Sequence, residues 1–179
     1  PQLAFFWYKR AADLGDGDAY NNLGQSYRDG YGVEKDAAQA LLWLQKGADI
    51  DDPFALANLG QVYLAGDGVE ADRAKGLALL ERAVAKDHVC AKVELAIALN
   101  AGSPSKTDSA RAVSLFHSAA QAGDARAMRL LAACYARGQG IAVDDGLAKK
   151  WYLEAVVAGD PDAKAELAAY VAREKTPKQ

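Results

Sequence analysis

The segment Ala19-Tyr-Asn-Asn-Leu-Gly-Gln-Ser-Tyr27 returns as Ala55-Leu-Ala-Asn-Leu-Gly-Gln-Val-Tyr63, 36 residues later. It returns more loosely from Ala91, Ala127 and Ala163 at the same interval. A fixed period of this length constrains the fold strongly. Each unit must be one supersecondary element that buries its apolar face on its neighbours. The period divides the chain into full repeats 19–54, 55–90, 91–126 and 127–162. A half repeat, 3–18, precedes them; another, 163–173, follows, and then a polar tail, 174–179.

The columns of the repeat define its elements. Leu23, Leu59, Leu95, Leu131 and Leu167 align, as do Tyr27, Tyr63 and Tyr135, with Leu99 in the third unit. Gly30, Gly66, Gly102 and Gly138 follow, and two residues later Gly32, Gly68 and Gly140. Apolar residues at helical spacing predict a first helix over about Ala19–Asp29. The glycines end it, because glycine tolerates the positive φ of a helix C-terminus. Asp36, Asp72, Asp108 and Asp144 are placed to cap a second helix, which in the first unit runs to about Ala48. Asp52-Pro53 and Asp160-Pro161 read as a cap followed by proline at the first helical position. The fold class is therefore all-α, a stack of antiparallel helix pairs. The third unit departs from the pattern: Gly102-Ser-Pro104-Ser105 replaces Gly-x-Gly-Val, and its loop is expected to be looser.

Together these residues spell A-x-x-x-L-G-x-x-Y-x-x-G-x-G-V-x-x-D…W…A…G-D. This pattern resembles the Sel-one-like repeat, a relative of the tetratricopeptide repeat, over roughly residues 3–173. The resemblance implies a right-handed superhelical solenoid and adaptor or scaffold work, often in bacterial envelopes, signalling or host contact. It implies no common catalytic chemistry. Disulfide-bearing relatives place cysteines regularly within the repeat. Cys90 and Cys134 fall in different columns, so two free thiols are expected.

Composition narrows the function further. A formal net charge of −3 lacks the basic footprint of a nucleic-acid binder. No apolar run is long enough to insert in a bilayer. The chain begins at Pro1, which reads as a processed chain or an excised fragment. Periplasmic or exported placement is the working expectation, and it rests on the resemblance.

Residues that suggest chemistry have structural explanations. The aspartate column recurs once per unit, which fits capping better than catalysis. Trp7, Trp43 and Trp151 share a column with Leu79 and Leu115, which fits packing. The paired glycines follow a helix and lack a phosphate-loop lysine, so no nucleotide is expected. His88 stands in a column otherwise held by Asp16, Asp52, Asp124 and Asp160, and reads as a substitute at a helix start. His117 has no second ligand at metal spacing. No cofactor, metal or catalytic residue is expected.

By analogy with related repeats, the first helices line a concave face that receives a protein or peptide. With Leu23, Ser26 and Tyr27 turned inward, the opposite stripe carries Asp18, Asn21, Gln25 and Asp29 in the first unit. It carries Phe54, Ala57, Gln61 and Ala65 in the second, and Cys90, Val93, Ile97 and Ala101 in the third. In the fourth it carries Arg126, Arg129, Ala133 and Arg137. The candidate contact residues are Asn21, Asn22, Gln25, Asn58, Gln61, Val93, Ile97, Arg126, Arg129 and Arg137. Val93 and Ile97 are read as apolar contacts without a core role. The arginines are read as forks for a partner's carboxylate, and Asn22 and Asn58 as partners for its main chain. Ile97→Asp and Arg129→Glu are expected to abolish binding without unfolding. Residues 1–90 carry nine Lys/Arg against fourteen Asp/Glu, and residues 91–179 twelve against ten, so the face grades from acidic to basic. Phe5, Phe6, Trp7 and Tyr8 suggest a second possibility, self-association or assembly through the N-terminal end.

Overall fold

The computed structural model describes residues 1–174, which form ten α-helices. In chain order they are α1 Gln2–Asp13, α2 Asp18–Asp29, α3 Ala37–Asp49, α4 Pro53–Ala65 and α5 Arg73–Ala85. There follow α6 Val89–Leu99, α7 Lys106–Gln121, α8 Ala125–Arg137, α9 Asp145–Val157 and α10 Ala163–Glu174. Among the described residues there is no strand; α1 to α5 pack each on the next, and so do α7 to α10. The fold is an all-α solenoid of stacked helix pairs. The chain divides within α6 into two compact units, residues 1–94 and the remainder from Leu95.

In the first unit, α2 pairs with α3 and α4 with α5, and α3 lies against α4. The leucine column lies at the centre, with Leu23 and Leu59 both fully buried. Each contributes about 2 kcal/mol through the apolar area removed from water. Small residues set how closely the paired helices approach. A Cβ on Gly60 would lie 2.9 Å from the Leu80 side chain and 3.1 Å from the Gly76 carbonyl oxygen. The aromatic residues of α1 divide between its two sides. Phe5 meets Tyr27 edge-on at 5.3 Å, and Tyr8 joins the core cluster. Phe6 and Trp7 are 52% and 56% exposed. Trp7 is therefore not a core residue, unlike Trp43, which stacks on Tyr20 at 5.8 Å.

In the second unit, α8 pairs with α9, and α7 and α10 flank that pair. Leu95 and Leu131 are fully buried, as are Ala132 and Ala148.

Capping follows the repeat. Asp36, Asp72 and Asp144 accept hydrogen bonds from the N–H groups of Gln39, Lys75 and Leu147 at 2.8–3.0 Å. Asp52, Asp124 and Asp160 do the same for Ala55, Ala127 and Ala163 at 2.7–2.8 Å. His88 takes the aspartate's place, its Nδ1 accepting from the Ala91 N–H at 3.1 Å.

The third repeat corrects one sequence expectation. Asp108 does not cap α7. Ser105 does, accepting from the Asp108 N–H at 3.0 Å while its hydroxyl donates to the Asp108 carboxylate at 2.7 Å. Pro104 fixes an extended entry, and Ser105 is itself a good cap. The helix therefore starts three residues early, and Asp108 becomes its third residue, holding the capping hydroxyl. The preceding turn is open, with nothing within 4 Å of a Cβ on Gly102. The second glycine of the other turns is under closer constraint. At Gly140, φ is +73° and a Cβ would lie 2.2 Å from the Ser109 carbonyl oxygen.

Candidate functional site

The first helices present four columns to the expected binding face, and the structure treats them differently. Asp18, Phe54, Cys90 and Arg126 are exposed, and so are Asp29, Ala65, Ala101 and Arg137. Gln25, Gln61, Ile97 and Ala133 are half-buried. The remaining column is closed. Asn21, Ala57 and Val93 are 8%, 5% and 2% exposed. The Arg129 side chain is 14% exposed.

The closed column is the seam between consecutive first helices. In the first unit, Asn58 Nδ2 of α4 donates to Asn21 Oδ1 of α2 at 2.8 Å. Arg28 Nη1 donates to Asn58 Oδ1 at 3.4 Å. In the second unit the same seam, again 37 residues apart in sequence, is an ion pair: Arg129 of α8 donates to Glu166 of α10 at 2.6 Å. A first helix that packs on the next first helix must cover one of its stripes. The sequence reading placed this stripe on the open face because it lies opposite the leucine column.

Three expectations are corrected accordingly. Asn21 and Asn58 satisfy each other across the seam. Val93 has a core role, since a β-branched apolar residue at the closed column is removed from solvent. Arg129 is not an available fork: its Nε donates to Asp160 at 2.8 Å, its Nη1 to Glu166, and its Nη2 lies 3.5 Å from Asp162. Burial pulls the Arg129 pKa down, and the hydrogen bond and charge of Glu166, with those of Asp160, more than reverse it. Asn22 is turned to its own helix, donating to the Asp18 carbonyl at 3.2 Å. Gln25, Gln61, Ile97, Arg126 and Arg137 keep surface positions.

The sequence reading did not single out Glu166, Tyr152 and Tyr170. Glu166 is held by Arg129 and also accepts from the Tyr152 hydroxyl at 3.3 Å. Burial first, then the Glu166 charge, pushes the Tyr152 phenol up to about 12. The available signal was the 37-residue offset, which pairs Asn21 with Asn58 and Arg129 with Glu166 in sequence.

The thiols also differ. Cys90 is exposed and Cys134 buried, and burial raises the Cys134 thiol to about 11. Among the described residues no three or more His, Cys, Asp or Glu side chains gather as a metal site. No described helix is long and apolar enough to cross a membrane.

The family model of the Sel1 repeat matches residues 1–16, 17–52, 53–88, 91–124 and 125–160. The chain belongs to the Sel1 repeat family. Among solved structures, a Sel1 repeat protein from Oxalobacter formigenes is 35% identical with a TM-score of 0.86; the match covers 98% of this chain and 71% of that one. A second relative is c5321, a protective antigen of uropathogenic Escherichia coli with an SLR fold. It is 28% identical with a TM-score of 0.83, over 98% of this chain and 38% of that one. The immunity protein Pa5087 of Pseudomonas aeruginosa is 26% identical with a TM-score of 0.64, over 89% and 59% of the two chains. No curated protein matches the sequence. Sel1 repeats generally mediate protein–protein interaction, through a scaffold fold that is not itself catalytic.

Proposed function

We propose that this Sel1 repeat chain is a non-enzymatic scaffold or adaptor of a bacterial protein, binding a protein or peptide on the exposed side of its first helices. One contrast carries the reading. Core and cap positions hold a narrow set of residue types, whereas the exposed first-helix columns change chemistry from repeat to repeat. Asp18, Phe54, Cys90 and Arg126 occupy one such column. Phe54 meets the His88 ring edge-on at 4.5 Å yet stays 55% exposed, and two repeats on, the same column holds an exposed arginine. The proposed contact set is Gln25, Gln61, Ile97, Arg126 and Arg137, to which Phe54 is added. The bacterial relatives favour a signalling, envelope or host-contact setting, and periplasmic or exported placement is part of this proposal.

The test is affinity capture from the source organism with mass spectrometry. The unaltered chain is compared with a Phe54→Ser/Gln61→Lys variant and an Arg126→Glu variant, each shown to keep its thermal midpoint. A partner lost with either variant supports the reading, and partners unchanged by both refute it. A second reading has its own observation: Leu3, Phe6 and Trp7 expose an apolar side of α1, at 69%, 52% and 56%. Assembly through that helix predicts concentration-dependent sedimentation that Phe6→Ser/Trp7→Ser removes.

A further inference from the structure

The second unit contains an open cleft of about 600 Å³, walled by the last turn of α8, the start of α9 and one side of α10. Its position belongs to the repeat. The first unit has a cleft of about 510 Å³ at the equivalent place, between the end of α2, the start of α3, and α4. The chemistry differs between the two. Where the first has Asp29, Ala37 and Val62, the second has Arg137, Asp145 and Tyr170. In the first cleft Arg28 is paired with Asp29 at 3.1 Å, so its charge is cancelled locally.

Among the described residues of the second cleft the carboxylates are engaged, whereas Arg137 and Arg173 are not. Glu166 is taken by Arg129 and Tyr152. Asp145 accepts from the Tyr170 hydroxyl and lies in the first turn of α9, where the helix dipole favours a negative charge. Arg137 and Arg173 are exposed and form no ion pair or hydrogen bond among the described residues. The Tyr152 and Tyr170 rings also line the cleft, their centroids 5.8 Å apart, and give it an aromatic floor. Two unengaged planar forks beside an aromatic floor suit carboxylates carried on a peptide chain.

We propose that the α8–α9–α10 cleft receives an acidic peptide segment, whose Asp or Glu carboxylates engage Arg137 and Arg173 while its apolar parts lie on Tyr152 and Tyr170. This rests on the scaffold reading and names the partner's chemistry. Charge complementarity makes the association salt-sensitive, because both arginines are solvent-exposed.

Random twelve-residue peptides displayed on phage are selected against the whole chain. The recovered sequences are then synthesised with a fluorescent label and titrated by anisotropy. The expected result is enrichment of Asp and Glu. Affinity should fall at least tenfold in Arg137→Gln/Arg173→Gln, and fall as salt is raised. Arg173→Gln alone provides a second, milder variant, and thermal midpoints show that both are folded. Peptides without acidic bias, or acidic peptides that bind the variants unchanged, overturn the cleft assignment and leave the scaffold reading intact. Recovery of no peptide likewise overturns the cleft assignment, and the scaffold reading is then decided by the affinity capture.

Discussion

Arg129 was first read as a ligand contact, and Arg129→Glu as a change that would abolish binding in a folded chain. The structure predicts a different outcome. The Arg129 side chain is 14% exposed and its partner Asp160 only 4%, with Glu166 at 34%. Asp160 also caps α10, accepting from the N–H groups of Asp162 and Ala163 at 3.0 and 2.8 Å. Removing the guanidinium leaves Asp160 buried with only those backbone donors and Glu166 with only Tyr152. Breaking a buried ion pair from one side costs about 3–5 kcal/mol. Solvent at Glu166 places this site near the lower end, so Arg129→Met is expected to cost about 3 kcal/mol. Arg129→Glu adds a third carboxylate and costs more. Arg129→Lys keeps the charge but loses the fork, and is expected to cost about 1–2 kcal/mol.

Urea unfolding followed by tryptophan fluorescence measures the change. Hydrogen exchange locates it, since the stability of stacked repeats is a sum of local and nearest-neighbour parts. Protection should be lost first in α10. The matched control is Arg137→Gln, an exposed position expected to move stability by no more than about 0.5 kcal/mol. If Arg129→Met changes stability as little as that control, the seam is not a structural ion pair and the argument against Arg129 as a ligand contact fails.

Three further outcomes follow from the same geometry. His88 caps α6 through an unprotonated Nδ1, and burial holds its pKa below the ordinary 6.5 against the opposing Asp52 charge. The unfolded chain therefore takes the proton first. This stability is complete above about pH 6.5 and is lost as pH falls below it; thermal midpoints across that range should show a dependence that His88→Asp removes, and a flat profile in the unaltered chain would refute it. Gly140→Ala meets both a positive φ and a carbonyl oxygen at 2.2 Å, whereas Gly102→Ala meets only the φ of +71°. Urea midpoints should put the first at about 2–4 kcal/mol and the second near 1 kcal/mol, and equal costs would count against the close approach. With Cys134 buried and its thiol raised to about 11, a native chain at pH 8 should release one equivalent of chromophore from a thiol reagent, from Cys90, and two in urea.

Much of the fold was legible because the repeat states it five times over. Leu23, Leu59, Leu95 and Leu131 could only be core, and the aspartate caps follow from their place before each apolar run. His88 was readable as a cap only because its column is aspartate elsewhere. The third repeat was misread at Asp108 because column reasoning carried the neighbours' cap forward. The local Ser105-x-x-Asp108 cap, placed just after Pro104, decided the helix start instead.

The binding face was legible only in part, and the reason is geometric. A helix in a solenoid has two buried stripes, one against its own partner and one against the next first helix. Periodicity within one helix reveals the first stripe. The second requires knowing which residue of the following repeat stands opposite, and that offset, 37 residues, is one more than the repeat. Seam positions therefore show compatible pairs rather than uniform apolarity. Asn21 with Asn58 and Arg129 with Glu166 are polar and look available when each is read alone. Pairing removes them from the candidate surface. Arg137, two turns beyond Arg129 on the same helix, is exposed and stays on that surface.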